Sequence, residues 1–217
     1  MGMIINPYRF GAYSGTLLDG LAGWWPLDET SGTRVNVHNP GTYDMADTNT
    51  VTSTTGKVGN AAKFTAANSE RLDAPITYDK YQSYTLAYWF YNADVNATQF
   101  LVDINTNFDQ YAQTDLLRNR ISGVTATLAI SNDTWYCVIF DFVQGVAANW
   151  YANDSLIGGS TGFDGAAWVS LRLGARRSLA SAFNNDRMDN VALWTRVLTA
   201  DERSEFYNSG SGMGYPG

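Results

Sequence analysis

Between Tyr84 and Asn92 the side chains alternate strictly: Tyr84, Leu86, Tyr88 and Phe90 fall on one face, and Thr85, Ala87, Trp89 and Tyr91 on the other. A period of two belongs to a β-strand, because successive side chains of extended backbone point to opposite faces. Large apolar groups on both faces exclude a strand with one wet side, so this segment predicts a central strand covered above and below. Shorter segments repeat the period. Gln99–Asn105 sets Phe100, Val102 and Ile104 against Leu101 and Asp103, and Val124–Ile130 sets Val124, Ala126, Leu128 and Ile130 against Thr125, Thr127 and Ala129. Further strands are expected at Trp135–Val143, Ala148–Ala152, Ser155–Ile157, Val169–Gly174 and Met188–Leu198. Gln144-Gly145 and Asn153-Asp154 supply hairpin turns between three of them. Turn signals every ten or so residues are the spacing of a β-sandwich.

One helix interrupts this pattern. Thr199-Ala200-Asp201-Glu202 is a capping box: Thr at the N-cap and Glu three residues on, with acidic residues where the helix dipole favours them. Phe206 and Tyr207 give the helix an apolar side, and Gly210 is its expected stop. A helix this short, after the last strand, is expected to act as a lid.

Composition narrows the partners. Trp, Tyr and Phe make up 14% of the 217 residues and charged residues only 16%, which suits aromatic strands joined by polar turns. The formal charge of −7, with three Lys against eleven Arg, disfavours phosphate backbones and anionic lipid, so neither nucleic acid nor a membrane surface is expected as a partner. Cys137 is the single cysteine. It lies in the apolar run Trp135–Phe140 and reads as a buried small hydrophobe, which leaves no disulfide framework and no cysteine-based zinc site. The start of the chain has neither a charged n-region nor an apolar h-region, so no secretion signal is expected.

Residues 1–20 differ from the rest, being aromatic, Gly-rich and without a sustained period. They read as an extended N-terminal arm ahead of a domain at 21–217. Ile4, Ile5, Tyr8, Phe10 and Tyr13 are its expected docking residues, since an apolar arm that cannot fold alone must bury itself on its own domain or on a neighbour.

The landmarks come in a recognisable order. Gly23–Gly32, containing Trp25-Pro26-Leu27-Asp28-Glu29, resembles the opening strand and loop of laminin-G-like, pentraxin-type jelly rolls of the concanavalin A-like kind. Gly56–Phe64 resembles their Gly-x-x-Gly-x-Ala-x-x-Phe strand, and Tyr84–Phe90 the strand that opens their concave sheet. Asp133–Tyr136 with Trp150–Leu156 is similar to their central hairpin, and Met188–Glu202 to their closing strand and capped helix. The resemblance spans roughly residues 20–208 and implies an all-β, two-sheet antiparallel jelly-roll sandwich. Relatives often place a calcium ion at the rim; here the candidate ligands are Asp103 with Asn105, and Asn184, Asn185 and Asp186. Turn formation is the competing role for all of these, as it is for Asp28 and Glu29.

No catalytic constellation is legible. His38, the single histidine, sits in the polar loop Val37–Pro40 with no nucleophile-and-base motif, and no paired-carboxylate pattern suits glycoside hydrolysis. The chain is therefore expected not to be an enzyme and to need no cofactor. Sugar-binding candidates are Trp168, otherwise a core residue, and Tyr111 near Asp109 and Gln113. The Arg176-Arg177 pair suits an acidic sugar or a partner's carboxylate. Ile4–Gly11 is similar to the starts of phage virion proteins that carry laminin-G-like domains. The leading expectation is a phage structural protein, on capsid, head fibre or tail, whose arm docks on other virion proteins or on its own copies. The alternative is a carbohydrate-binding module for host-surface or extracellular glycans.

Overall fold

The computed structural model of the chain describes residues 16–79, 82–94, 96, 98–105, 108–121, 124–161, 167–177 and 183–217. The strands are β1 (Leu21–Trp25), β2 (Ala46–Thr48), β3 (Thr52–Thr55), β4 (Asn60–Lys63), β5 (Arg71–Ala74), β6 (Tyr84–Asn92), β7 (Gln99–Asn105) and β8 (Phe108–Gln113). They continue as β9 (Leu116–Ile121), β10 (Val124–Ala129), β11 (Thr134–Val143), β12 (Ala147–Ala152), β13 (Ser155–Thr161), β14 (Leu171–Leu173) and β15 (Arg187–Trp194), followed by one α-helix, α1 (Ala200–Tyr207). They form two antiparallel sheets, ordered β13-β12-β11-β6-β15-β4-β3, with β1 also on β15, and β10-β9-β8-β7-β14-β5-β2. The two-sheet antiparallel sandwich with a short C-terminal helix is thus the architecture the alternation implied.

Three expected strands differ in extent by more than one residue at an end. The last ends at Trp194 rather than Leu198, and Val169–Gly174 contracts to Leu171–Leu173, with Val169 58% exposed. Ser155–Ile157 instead extends to Thr161.

Two apolar clusters explain why β6 is apolar on both faces. Between the sheets lie Trp25, Leu86, Tyr88, Phe90, Val138, Phe140 and Trp150 from the first, against Leu72, Val102, Ile104, Leu117, Leu171 and Leu173 from the second. On the outer side of the first sheet, Trp24, Ala87, Trp89, Cys137, Ile139 and Trp194 form another cluster with Leu17, Leu198, Phe206 and Met213. The helix and the segment after it close that cluster over; Phe206 is fully buried against Trp24 and Trp194, with ring centroids 5.4 and 5.9 Å apart. Burial drives the Cys137 thiol pKa well above its usual value, in keeping with a core residue.

Residues 16–20 also belong to this layer. Leu17 is buried and its carbonyl accepts from Trp194 Nε1 at 2.7 Å, while the Thr16 carbonyl accepts from Arg196 at 2.7 Å. Ile4, Ile5, Tyr8, Phe10 and Tyr13 lie outside the described residues.

Local chemistry fixes the turns. The Asn153-Asp154 pair has φ of 49° and 64°, the left-handed values of a type I′ hairpin turn. The capping box forms in full: Glu202 N–H donates to Thr199 Oγ1 at 3.3 Å and Thr199 N–H to Glu202 Oε2 at 2.8 Å. Glu202 also takes two bonds from Arg196, at 2.7 and 2.8 Å, which lower its pKa to about 2. The helix stops at Asn208, in the left-handed conformation, rather than at Gly210; Asn is the residue other than glycine that tolerates this geometry best. The Gly56–Gly59 turn is gripped by Asp189 from β15, whose Oδ2 accepts from Lys57 N at 2.6 Å and Val58 N at 2.9 Å. A Cβ on Gly56 would stand 2.6 Å from that oxygen and 2.4 Å from the Asn60 carbonyl, which explains the first glycine. Gly59 is needed for its φ of +67°.

Candidate functional site

A cleft of about 430 Å³ opens where β1 meets the loop before β2, the segment after β5 and the end of β15. Its volume falls in the range of small-ligand sites, roughly 300–1,000 Å³. Leu21 and Ala22 line it with apolar groups, Tyr43 adds a half-buried aromatic ring, and the largely buried Tyr78 borders it. Asn39, Gln82 and His38 add planar polar groups, and Thr42, Thr77 and Thr195 add hydroxyls. Among the described residues, none that lines it is Asp, Glu, Lys or Arg.

One buried residue builds the loop half of this cleft. Asn36 is fully buried and uses both ends of its amide: Oδ1 accepts from Trp24 N at 3.0 Å and His38 N at 3.2 Å. Its Nδ2 donates to Thr42 O at 2.9 Å and Ala22 O at 3.2 Å, tying the loop to β1. Asp44 closes the loop by accepting from Asn36 N at 2.8 Å. Tyr43 is held at φ 63°, a value that bulky residues avoid, and its carbonyl accepts from Trp25 Nε1 at 3.0 Å. Strain of this kind persists only where the surroundings fix it, and it recurs at functional sites.

The opposite wall is rigid for a different reason. The Tyr78 ring packs 5.2 Å from Trp168 and 6.1 Å from Tyr84, within the core. Burial, reinforced by the nearby Tyr43 hydroxyl, raises the Tyr78 pKa to about 12, so it remains a neutral hydrogen-bonding group at all physiological pH. Gln82 is exposed, and its Oε1 accepts from Asp79 N at 3.3 Å. His38 is half-buried rather than solvated; its Nδ1 lies 3.1 Å from the Tyr215 hydroxyl. A half-buried tyrosine ring beside neutral donors and acceptors can pack against an uncharged ring that carries hydroxyls.

The residues singled out in the sequence fall in three places. Trp168 is 3% exposed and belongs to the core, the competing role named for it. Asp103, Asp109, Tyr111, Arg176 and Arg177, taken separately in the sequence, meet on the outer face of the second sheet. Asp103 and Asp109 are cross-strand partners on β7 and β8. Arg177 bonds Asp103 at 3.2 Å and Arg176 bonds Asp109 at 2.7 Å. The two carboxylate side chains are only 2% and 1% exposed, so a glycosidic bond has no access between them.

The described calcium candidates are engaged as hydrogen-bond acceptors. Asp103 accepts from the Arg177 N–H at 2.8 Å as well as from its guanidinium, and burial raises its pKa. Asn105's side chain lies outside the described set. Asp186 takes the Ala93 N–H at 3.0 and 3.1 Å and the Gln99 amide, Asn184 takes the Asp186 N–H at 2.9 Å, and Asn185 takes the Ala66 N–H at 3.3 Å. These oxygens serve as turn acceptors. Among the described residues there is no group of three or more His, Cys, Asp or Glu that could hold a metal ion. Asp28 and Glu29 likewise organise loops, accepting from Asn60 N at 2.6 Å and Val35 N at 2.7 Å.

No family model and no curated protein matches this chain. Solved structures do. The binding domain of Paraclostridial Mosquitocidal Protein 1 is similar with a TM-score of 0.70 at 15% identity, over 89% of this chain and 53% of that one. Domain 4 of AbnA, an extracellular arabinanase of Geobacillus stearothermophilus solved with arabinotriose, gives 0.64 at 15% identity over 89% and 98%. Trypanosoma rangeli sialidase in complex with sialic acid gives 0.71 at 16% identity over 90% and 34%. The chain therefore spans about half of the mosquitocidal structure, a third of the sialidase and nearly all of the arabinanase domain. At these identities the likeness establishes one thing, the β-sandwich fold.

Proposed function

We propose that this chain is a non-enzymatic, glycan-binding β-sandwich of the laminin-G-like branch, displayed on a phage particle through its N-terminal arm, the part of residues 1–20 that lies ahead of Thr16. The observation that carries the glycan reading is the uncharged cleft. Hydroxyl groups of a neutral sugar are matched by neutral donors and acceptors, and the cleft offers Tyr78, Asn39, Gln82 and three threonines beside the half-buried Tyr43 ring. Catalysis of glycosidic cleavage asks instead for two carboxylates flanking the bond, roughly 5–10 Å apart, and the described residues of the cleft lining include none. Support comes too from the similar arabinanase domain, whose structure holds arabinotriose.

The virion half of the proposal rests on Ile4–Gly11 and on the apolar character of Ile4, Ile5, Tyr8, Phe10 and Tyr13. Its partners are other virion proteins or further copies of the same chain. Two experiments separate the halves. A glycan array followed by calorimetry on the neutral hits should show binding that Asn39→Ala with Gln82→Ala weakens about tenfold or more, as expected when two hydrogen bonds to a bound sugar are lost. An array without a neutral hit overturns the glycan reading. Mass spectrometry of purified particles should find the full chain and not a version lacking residues 1–15, a cut that keeps Thr16 and Leu17 packed on the sandwich; particles that load the truncated protein equally well overturn the arm. Glycan binding without any particle association leaves the chain a free carbohydrate-binding module.

A further inference from the structure

The outer face of the second sheet carries a charge pattern that the cleft does not use. In one row across the strands stand Asp73 on β5, Arg172 on β14, Asp103 on β7 and Asp109 on β8, each the Cα partner of the next. A second row runs Phe100 on β7, Tyr111 on β8 and Arg118 on β9. Arg71, Arg176 and Arg177 border them. Among the described side chains, these five arginines against three aspartates leave two positive charges in excess, on a chain whose overall charge is −7.

The arginines are held in place. Arg172 bonds Asp73 at 2.7 Å, Arg71 bonds the same carboxylate at 3.0 Å, and Arg176 and Arg177 are fixed by the buried Asp109 and Asp103. Their side chains remain 17–31% exposed, so each guanidinium presents an edge to solvent with little rotamer entropy left to lose. Tyr111 stacks on Phe100 at 5.3 Å, and the Arg176 guanidinium sits 5.6 Å from the Phe100 ring. On the other side of Tyr111, the buried Nε of Arg118 has no hydrogen-bond partner among the described residues. An N–H donor of a charged group left unpaired and buried is costly, and it marks where an acceptor belongs.

The geometry points to a second binding site, on this face, for a carboxylate-bearing sugar whose ring lies on Tyr111 and whose carboxylate is taken by Arg118 and Arg176. The site shares no residue with the neutral cleft and does not depend on it. Guanidinium and carboxylate match as planar, charge-assisted partners, and the half-buried Tyr111 supplies the surface for C–H stacking. An acidic peptide would use the charge but has no ring for Tyr111, which is why a sugar is favoured.

Calorimetry on the full chain with digalacturonic acid, N-acetylneuraminic acid, galactobiose and hexaglutamate tests this at low and high salt. At least one acidic sugar should bind, weaken with salt, and lose about tenfold or more with Arg118→Gln, a change that breaks no ion pair described here. Tyr111→Ala should weaken it as well, whereas Asn39→Ala with Gln82→Ala should leave it unchanged, so failure of the cleft and failure of this face are distinguishable. The proposal is overturned if both acidic sugars bind no better than galactobiose, if Arg118→Gln or Tyr111→Ala has no effect, if hexaglutamate binds equally tightly, or if the cleft variant abolishes the binding.

Discussion

Replacing Phe206 by alanine asks whether α1 is a loosely attached lid or part of the folded body. An eight-residue helix is too short to hold its shape alone, so its order has to come from what it covers. Phe206 is fully buried, with its ring 5.4 Å from Trp24 and 5.9 Å from Trp194, in a cluster that also includes Trp89 and Ile139. Truncating a buried Phe costs about 3–5 kcal/mol, combining lost transfer energy with the cavity left between two indoles. For a domain of this size that corresponds to a fall in Tm of roughly 6–20 °C. Urea and thermal denaturation followed by tryptophan fluorescence measure it, and the fluorescence reports on this cluster because Trp24 and Trp194 line the site. A loss below about 1 kcal/mol would mean that α1 rests on the sheet without being integral to it, and the two-cluster description would fail.

Asp189 and Asp141 make stability depend on pH in a definite sense. Burial raises their pKa values to about 7 and about 6 from 3.8, so ionisation is harder in the folded chain than in the unfolded one. The stability they contribute is full below about pH 4 and is lost as pH rises through 6 to 7. Urea unfolding at pH 5 and pH 8 should show a loss at the higher pH, with an Asp189 share of up to about 3 kcal/mol, and Asp189→Asn should shrink that difference; an unchanged difference contradicts the assignment. Glu202 acts in the opposite sense, its contribution being present above pH 4.5 and lost as pH falls through about 2, which acid titration of the wild type and Glu202→Gln compares. Gly56→Ala should destabilise by about 1–3 kcal/mol, because its Cβ would meet the Asn60 carbonyl at 2.4 Å. Gly145→Ala meets nothing within 4 Å and bears only the left-handed penalty of about 1 kcal/mol, so equal losses in the two would refute the steric reading of Gly56.

Elements buried on both sides were legible in the sequence. Tyr84–Asn92 and Gln99–Asn105 form as strands with the bounds that alternation gave, and Thr199 with Glu202 forms the capping box that spacing implied. Segments whose burial is polar were not. In β8, Asp109 and Gln110 are buried through Arg176 and the Tyr88 hydroxyl, so a strand lies where the pattern reads as polar and loop-like. The three- and four-residue strands β2, β3 and β5 are too short to show a period at all. Val169 and Leu198 fell the other way: both are apolar, but Val169 precedes β14 and points to solvent, and Leu198 packs under α1 beyond the end of β15. The cleft was invisible for a different reason. Its residues come from four stretches between Leu21 and Thr195, and what makes Asn36 important is a set of bonds to Trp24, Ala22 and Thr42 that no local pattern encodes. Of its members His38 alone was noticed, as a base without partners; its partner turned out to be Tyr215, at the far end of the chain.

The central claim is that the uncharged cleft binds a neutral sugar. The most direct measurement is a titration of the full chain, carrying ¹³C-labelled tyrosine and histidine, with the strongest neutral oligosaccharide from an array. The account predicts saturable shifts in the ring signals of Tyr43, Tyr78 and His38, with the signal of Tyr111 on the far sheet unmoved. Saturable binding that shifts Tyr111 and leaves Tyr43 and Tyr78 in place would contradict it.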